Sequence, residues 1–244
     1  TREGWSESIA VQLESFFFKN RQPVEFDYSE IRPAGSPLKS FGGTASGPGP
    51  LMDVHESINK QFAGRHGEKI TSRDIVDIMN KIGKAVVAGG ARRSALIALG
   101  DAEDDDYVNI KNWELPENAE RTGPDGWAWT SNNSVLVNSG DELDHLVDKI
   151  SINGEPGVIW LDMMRKFGRI ADVENNKDSR VSGCNPCAEI SLESHEFCCL
   201  VELYPSKHES FADFKKSIKH AYMYAKAVTL MPSTWAETNE VITR

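Results

Sequence analysis

The stretch from Ile31 to Pro50, "IRPAGSPLKSFGGTASGPGP", holds five Gly and four Pro. Proline removes backbone donors and glycine weakens regular elements, so neither a helix nor a strand can run through it. It is long for a connection without structure, and such segments are functional or disordered. Ahead of it, Trp5 to Lys19 places Ile9, Leu13, Phe16 and Phe17 on one helical face. "VEFDY", residues 24–28, then reads as a short strand.

Behind it, helical and strand patterns alternate. Thr71 and Asp74 have capping-box spacing and open an amphipathic helix that runs to about Val87, ended by Gly89 and Gly90. "RSALIAL" reads as a buried strand, and Glu103 to Asp106 as a solvated acidic turn. "PDGWAWTSNNSVLV" reads as a loop followed by a strand. "DELDHLVDKI" and "PGVIWLDMMRKFGR" read as helices, the second with Pro156 in its first turn. "AEISL" and "CCLVELY" read as short strands on either side of the "ESHEF" turn, and Ser210 to Leu230 as a long amphipathic helix. Strands alternating with helices predict an α/β architecture with a parallel sheet.

The net charge of −10 argues against broad binding to nucleic-acid phosphates. It leaves room for a local nucleotide site built from a few Arg and backbone N–H groups. No apolar run is long enough to cross a membrane, and "TREGWSESIA" has no signal-peptide pattern. The chain does not start with Met, which suits a piece of something longer.

All four cysteines, Cys184, Cys187, Cys198 and Cys199, fall within "SGCNPCAEISLESHEFCCL". Such a cluster is not a secreted disulfide framework, and a reducing cytoplasm is the expected compartment (the host's, if the gene is viral). Three chemistries compete. Cys184 and Cys187 form half a zinc site, but the adjacent pair Cys198–Cys199 would diverge in a strand; His195 could replace one of them. A redox CxxC normally opens a helix, and no helix pattern follows Pro186. In an extended segment Asn185, Cys187 and Glu189 project to one side, setting a thiol between an amide and a carboxylate, an arrangement suited to a sugar. The plainer alternative is a buried strand end with a polar cap.

"NPCAEI" resembles the finger-loop motif of ribonucleotide reductases, and "SLESHEFCCLVELYP" continues the likeness. "IRPAGSPLKSFGGTASGP" resembles the first loop of the reductase specificity site and "GGARRSALIALGD" the second. "WTSNNSV" and "NGEPGVIWLDMMRKFGR" are similar as well. The flavour is that of the monomeric, adenosylcobalamin-dependent ribonucleoside triphosphate reductases. The resemblance implies part of a ten-stranded α/β barrel of the reductase and glycyl-radical type. Residues 1–244 would form one partial catalytic domain. Its specificity loops would span about 31–50 and 86–94, and its finger loop with flanking strands about 183–200.

The resemblance also implies roles. Cys187 matches the cysteine that becomes a thiyl radical and abstracts the ribose 3′ hydrogen, after homolysis of the cobalt–carbon bond of adenosylcobalamin. Glu189 matches the carboxylate that takes the 3′-hydroxyl proton, and Asn185 the amide that orients the ribose hydroxyls. Cys198 matches one member of the reducing pair, regenerated by an external dithiol such as thioredoxin. The other member lies upstream in the family, and no cysteine precedes Cys184 here. The chain therefore reads as an internal piece of a larger or split reductase, such as a segment between inteins, that needs the remaining segments as partners. Cys184 and Cys199 read as bystanders.

In the specificity loops, Arg32 matches a phosphate-facing residue, and Gly42 and Gly43 would let backbone N–H groups approach an anion. Arg92 and Arg93 are candidates for the phosphates of the ribonucleoside triphosphate substrate or the deoxynucleoside triphosphate effector. Their plainer reading is a surface ion pair with Asp101 or Asp104. "SNNSV" reads most simply as a turn with Asx-type bonds, and neither Asn132 nor Asn133 receives a role. The competing functions are a non-catalytic nucleotide-binding reductase fragment and, on the cysteines alone, a zinc-binding protein.

Overall fold

A computed structural model describes residues 1–18, 22–39, 42–65, 67–88, 91–168 and 171–243. The chain divides into two compact units, Thr1–Leu136 with Asp141–Val158, and Val137–Gly140 with Ile159–Arg244.

In the first unit, helix α1 (Arg2–Phe17) is capped by Thr1, whose side chain accepts from the Gly4 N–H. Lys19, the expected end of this helix, lies outside the described residues. "VEFDY" forms no strand there; its aromatics instead contact a helix, with Phe26 stacked on His55 at 3.9 Å. Helix α2 (Gly49–Phe62) begins inside the Gly/Pro-rich stretch, with Pro50 in the first turn, where a missing N–H costs nothing. Helix α3 (Ser72–Ala85) has the expected capping box, with Thr71 and Asp74 each bonding the other's backbone. It ends at Ala85, with Val86 as its C-cap, short of the expected end near Val87, which is in a strand instead; Gly89 and Gly90 lie outside the described residues. Val54, Ile58, Phe62, Ile78 and Ala85 form the core between α2 and α3, and Ile9, Leu13 and Phe16 of α1 pack against it.

The other side of α3 is polar and buried. The Asp77 carboxylate receives Arg121 at 2.9 and 2.5 Å and the Trp127 indole N–H at 2.6 Å. Lys81 donates to Gln61 at 2.7 Å and lies over the Trp127 ring. Ile75 and Met79 are correspondingly half exposed. They line an apolar groove of about 300 Å³ with Leu96 and Leu99.

Strands β1 (Val87–Ala88) and β2 (Ala91–Arg92) pair antiparallel. Strand β3 (Leu96–Gly100) runs parallel to β4 (Ser131–Val137), with Leu96 opposite Ser131 and Gly100 opposite Val135. The expected parallel sheet is therefore present, in the order β3-β4-β5, where β5 is Gly157–Trp160. β3 is half-buried rather than buried, because its open face lines the apolar groove. A Cβ at Gly100 would fall 2.4 Å from the Tyr107 ring, so only glycine lets that ring pass. The Tyr107 hydroxyl donates to the carbonyls of Ala98 and Ser134, clasping β3 to β4.

The acidic turn is a helix start. Asp104 caps the short α4 (Asp105–Val108), accepting from the Tyr107 N–H. α5 (Ala119–Thr122) carries the buried Arg121. "SNNSV" is strand rather than an Asx turn: Asn133 is buried and accepts from the Ser131 hydroxyl at 2.8 Å. α6 (Asp144–Asn153) forms as expected. The expected helix over "PGVIWLDMMRKFGR" splits, with Gly157–Trp160 as β5 and only Leu161–Phe167 helical, as α7. The β-branched pair Val158–Ile159 and Trp160 suit a pleated ladder, so Pro156 precedes a strand instead of opening a helix. Arg169, at the end of that expected helix, is outside the described residues.

In the second unit, β6 (Gly183–Cys184) pairs antiparallel with β7 (Ser191–Leu192). Helix α8 (Phe211–Thr229) is capped by Ser210, and α9 (Ala236–Ile242) follows. α8 matches the expected long helix, although Phe211, Tyr222 and Tyr224 on it are exposed.

Candidate active site

The β6–β7 ladder closes around "NPCAEI", residues 185–190, and not around "ESHEF". Asn185 explains why. Its backbone N–H donates to the Ile190 carbonyl at 3.1 Å, and its carbonyl accepts from the Ala188 N–H at 2.9 Å. Its side-chain Oδ1 accepts from the Ile190 N–H at 3.0 Å. An Asn that satisfies three groups of a six-residue tip fixes the turn locally, as Asx side chains do. "ESHEF" is a separate turn, in which the Glu196 carboxylate accepts from the Glu193 N–H at 2.7 Å and His195 takes φ +68.

Two expectations change in consequence. Residues 197–203 form no strand, so Cys198 is not brought to the site by a ladder across "ESHEF". The tip is not extended either: Ala188 has φ +64, so Asn185, Cys187 and Glu189 do not alternate as strand residues would. Asn185 turns inward and is buried, whereas Cys187 and Glu189 are exposed at the tip.

The structure nevertheless gathers these groups. The Asn185 Nδ2–H donates to Cys198 Sγ at 3.8 Å, a distance suited to sulfur. Burial pushes the Cys198 thiol pKa up, and the Glu189 carboxylate pushes it further. Cys184, buried in β6, is raised by the same two causes in the same order. Both thiols are therefore held protonated at neutral pH, with the carboxylate in electrostatic reach of each. Among the described residues, no cluster of three or more His, Cys, Asp and Glu side chains could hold a metal ion.

Two supports of the hairpin have no signal in the sequence. Arg165 of α7 donates through Nε to the Val181 carbonyl at 2.8 Å, just before β6. The Ser191 hydroxyl of β7 points at the Asp178 carboxylate at 3.5 Å. Both partners are distant along the chain from the motif they steady.

In the glycine-rich stretch of the first unit, Pro37 and Thr44 face each other in an antiparallel bridge. Leu38 and Gly43 are joined by the Leu38 N–H at 3.0 Å, and Ala45 bonds Ser36 at 2.7 Å. Gly42 and Gly43 have φ near +70 and +74, which explains glycine at both. The Gly42 N–H already donates to the Leu38 carbonyl at 3.1 Å, so this turn must open before that donor can meet an anion. Arg32 is exposed nearby in sequence. On the second loop, Arg92 reaches the Thr130 carbonyl at 2.7 Å instead of an aspartate, and Arg93, also exposed, bonds Val86 through its backbone N–H.

Residues 1–62 match the insertion domain of B12-dependent ribonucleotide reductases. The full chain is 46% identical over 244 residues to the adenosylcobalamin-dependent ribonucleoside-triphosphate reductase of Euglena gracilis, covering 32% of that protein. It is 44% identical, again along its whole length, to the probable adenosylcobalamin-dependent ribonucleoside-triphosphate reductase of Dictyostelium discoideum, of which it covers 32%. Along its whole length the chain is thus similar to adenosylcobalamin-dependent ribonucleoside-triphosphate reductases. A relative from Lactobacillus gasseri is 40% identical over 251 residues, and 33% of it is covered. The chain spans about a third of the length of the curated relatives it matches. No solved structure gives a significant match.

Proposed function

We propose that the chain is the part of a ribonucleoside triphosphate reductase that carries the radical cysteine, one reducing cysteine and the two specificity loops. The observation that supports this most is the hairpin tip: an exposed Cys187, with Asn185 bonded to Cys198 beneath it and Glu189 in electrostatic reach. In the whole enzyme the β3-β4-β5 sheet is part of a ten-stranded α/β barrel, and residues 185–190 are its finger loop.

Adenosylcobalamin, when bound, supplies radical chemistry at sulfur. The exposure of Cys187 fits a group that must meet its Sγ. Cys187 exchanges a hydrogen with the ribose 3′ carbon, and Glu189, exposed beside it in sequence, takes the 3′-hydroxyl proton. Asn185 orients the ribose hydroxyls. Cys198, kept as a thiol by burial and by Glu189, supplies one of the two hydrogens that reduce the 2′ position. Its partner thiol comes from another segment of the reductase, and an external dithiol such as thioredoxin restores the pair. Arg32, Gly42 and Gly43 serve a deoxynucleoside triphosphate effector, and Arg92 and Arg93 relay its identity to the substrate. The working compartment is the cytoplasm.

The test is reconstitution. The chain is combined with the remaining reductase segments, adenosylcobalamin and a dithiol, and conversion of a ribonucleoside triphosphate to its deoxy form is followed. Turnover that needs both this chain and the cofactor is expected. Turnover without the chain, or binding of nucleotides with no turnover in the complete mixture, would replace this reading with a regulatory one.

A further inference from the structure

We propose that Asn185 is a positioning residue for Cys198, orienting the reducing thiol through an N–H···S bond in addition to any contact with substrate. This rests on the reading of Cys198 as a reducing cysteine. The geometry has two parts. First, Cys198 lies in a segment that joins no strand, so no ladder sets its distance from the hairpin. The Nδ2–H of Asn185 meets its Sγ at 3.8 Å. Second, Asn185 is itself immobile. It is 5% exposed, and its backbone N–H, backbone carbonyl and side-chain Oδ1 all close the hairpin tip, to Ile190, Ala188 and Ile190 respectively. The Oδ1–Ile190 bond decides which end of the amide faces Cys198, because only the nitrogen end remains to point there.

Two chemical consequences follow. An amide has two N–H donors, and one is directed at sulfur, which leaves one for a ribose hydroxyl. A donor aimed at Sγ also stabilises the thiolate, opposing the rise caused by burial, Glu189 and Cys199. Asn185 therefore ties the reactivity of Cys198 to the conformation of the tip that carries Cys187.

The groups facing Cys198 that titrate are Glu189, Cys199 and Cys187. The experiment measures the pH profile of iodoacetamide alkylation at each cysteine of the full chain by peptide mass spectrometry. It compares the parent with Asn185→Asp and Asn185→Ala. Asn185→Asp keeps an acceptor for the Ile190 N–H, removes the donor to sulfur and adds a carboxylate whose charge also raises nearby thiols, so Cys187 and Cys199 serve as its charge controls and Asn185→Ala removes the donor without that charge. The Cys198 midpoint is expected to move to higher pH by about half a unit or more in Asn185→Asp. The Cys199 profile, which has no bond to Asn185, moves less. In Asn185→Ala, loss of the donor alone also moves Cys198 upward, whereas a loosened, more exposed hairpin moves it downward toward an ordinary thiol. An unchanged or lowered Cys198 midpoint in Asn185→Asp, or a rise at Cys187 or Cys199 as large as that at Cys198, overturns the proposal. No turnover is needed for this measurement, so it can fail while reconstituted activity stands, and the reverse.

Discussion

The α2–α3 region and the "NPCAEI" hairpin are held in different ways. Around α3, Ile58 is fully buried, Asp74, Asp77, Lys81 and Arg121 are enclosed, and a capping box closes the N-terminus. The hairpin has two paired residues on each strand and a tip fixed mainly by one Asn. A scaffold needs many buried contacts, because each helps to offset chain entropy. A reactive tip needs its thiol at the surface, so its geometry rests on a few directed bonds. Substitutions near α3 should cost stability, and those at the tip should alter chemistry.

The largest stability effect is expected from Asp77→Ala, which strands Arg121 and the Trp127 N–H in the interior. A loss of about 3–5 kcal/mol in denaturant unfolding is expected. A loss under about 1 kcal/mol would mean that Arg121 finds water, and that the scaffold is looser than described. Ile58→Ala should cost about 2–5 kcal/mol by opening a cavity between α2 and α3.

Asp74 gives a pH test. Burial alone would raise its pKa, but the bidentate Arg65 contact at 2.6 and 2.8 Å and the Thr71 N–H prevail and hold it well below the ordinary carboxylate range. A depressed folded pKa contributes stability that is complete above the unfolded value. That contribution is lost as pH falls from the ordinary aspartate range toward the folded pKa. Melting temperature should therefore drop below about pH 4, and less steeply in Asp74→Asn. Thr71→Ala, which removes the other half of the box, should cost about 1 kcal/mol at neutral pH.

The smallest effect is expected at the tip. Ala188→Gly relieves a positive φ worth roughly 1 kcal/mol, of which glycine's greater freedom in the unfolded chain offsets a large part, so it should slow hydrogen exchange at the Ile190 N–H slightly and raise global stability by well under about 1 kcal/mol. Faster exchange would mean that the alanine methyl steadies the turn, which would erase the contrast between the regions.

The same contrast explains what the sequence reveals. The capping box, α1, α6, α8 and the existence of the β3 and β4 strands follow from local patterns, because spacing and caps act within a few residues. α2 is hidden in the sequence, although Leu51, Val54, Ile58 and Phe62 have helical spacing behind a proline. The Gly/Pro stretch ahead of it masks a start that the proline itself favours. "PGVIW" reads as helix from its sequence and is strand in the structure, because a short apolar run fits either state and only its sheet neighbour decides. The enclosed Asp77 and Lys81 were not legible, since their partners Arg121, Trp127 and Gln61 are remote in sequence. At the site the motif residues were legible. Their grouping was not, because it depends on one side chain closing a different hairpin from the one that strand patterns suggested.

Cys187, at an exposed tip, is the proposed reactive thiol. The most direct measurement compares Cys187→Ser with Cys199→Ser in the reconstituted reductase, scoring deoxynucleotide formation with adenosylcobalamin and a dithiol. The expected result is no turnover in the first and retained turnover in the second, with both proteins folded. Turnover surviving in Cys187→Ser would contradict the central claim.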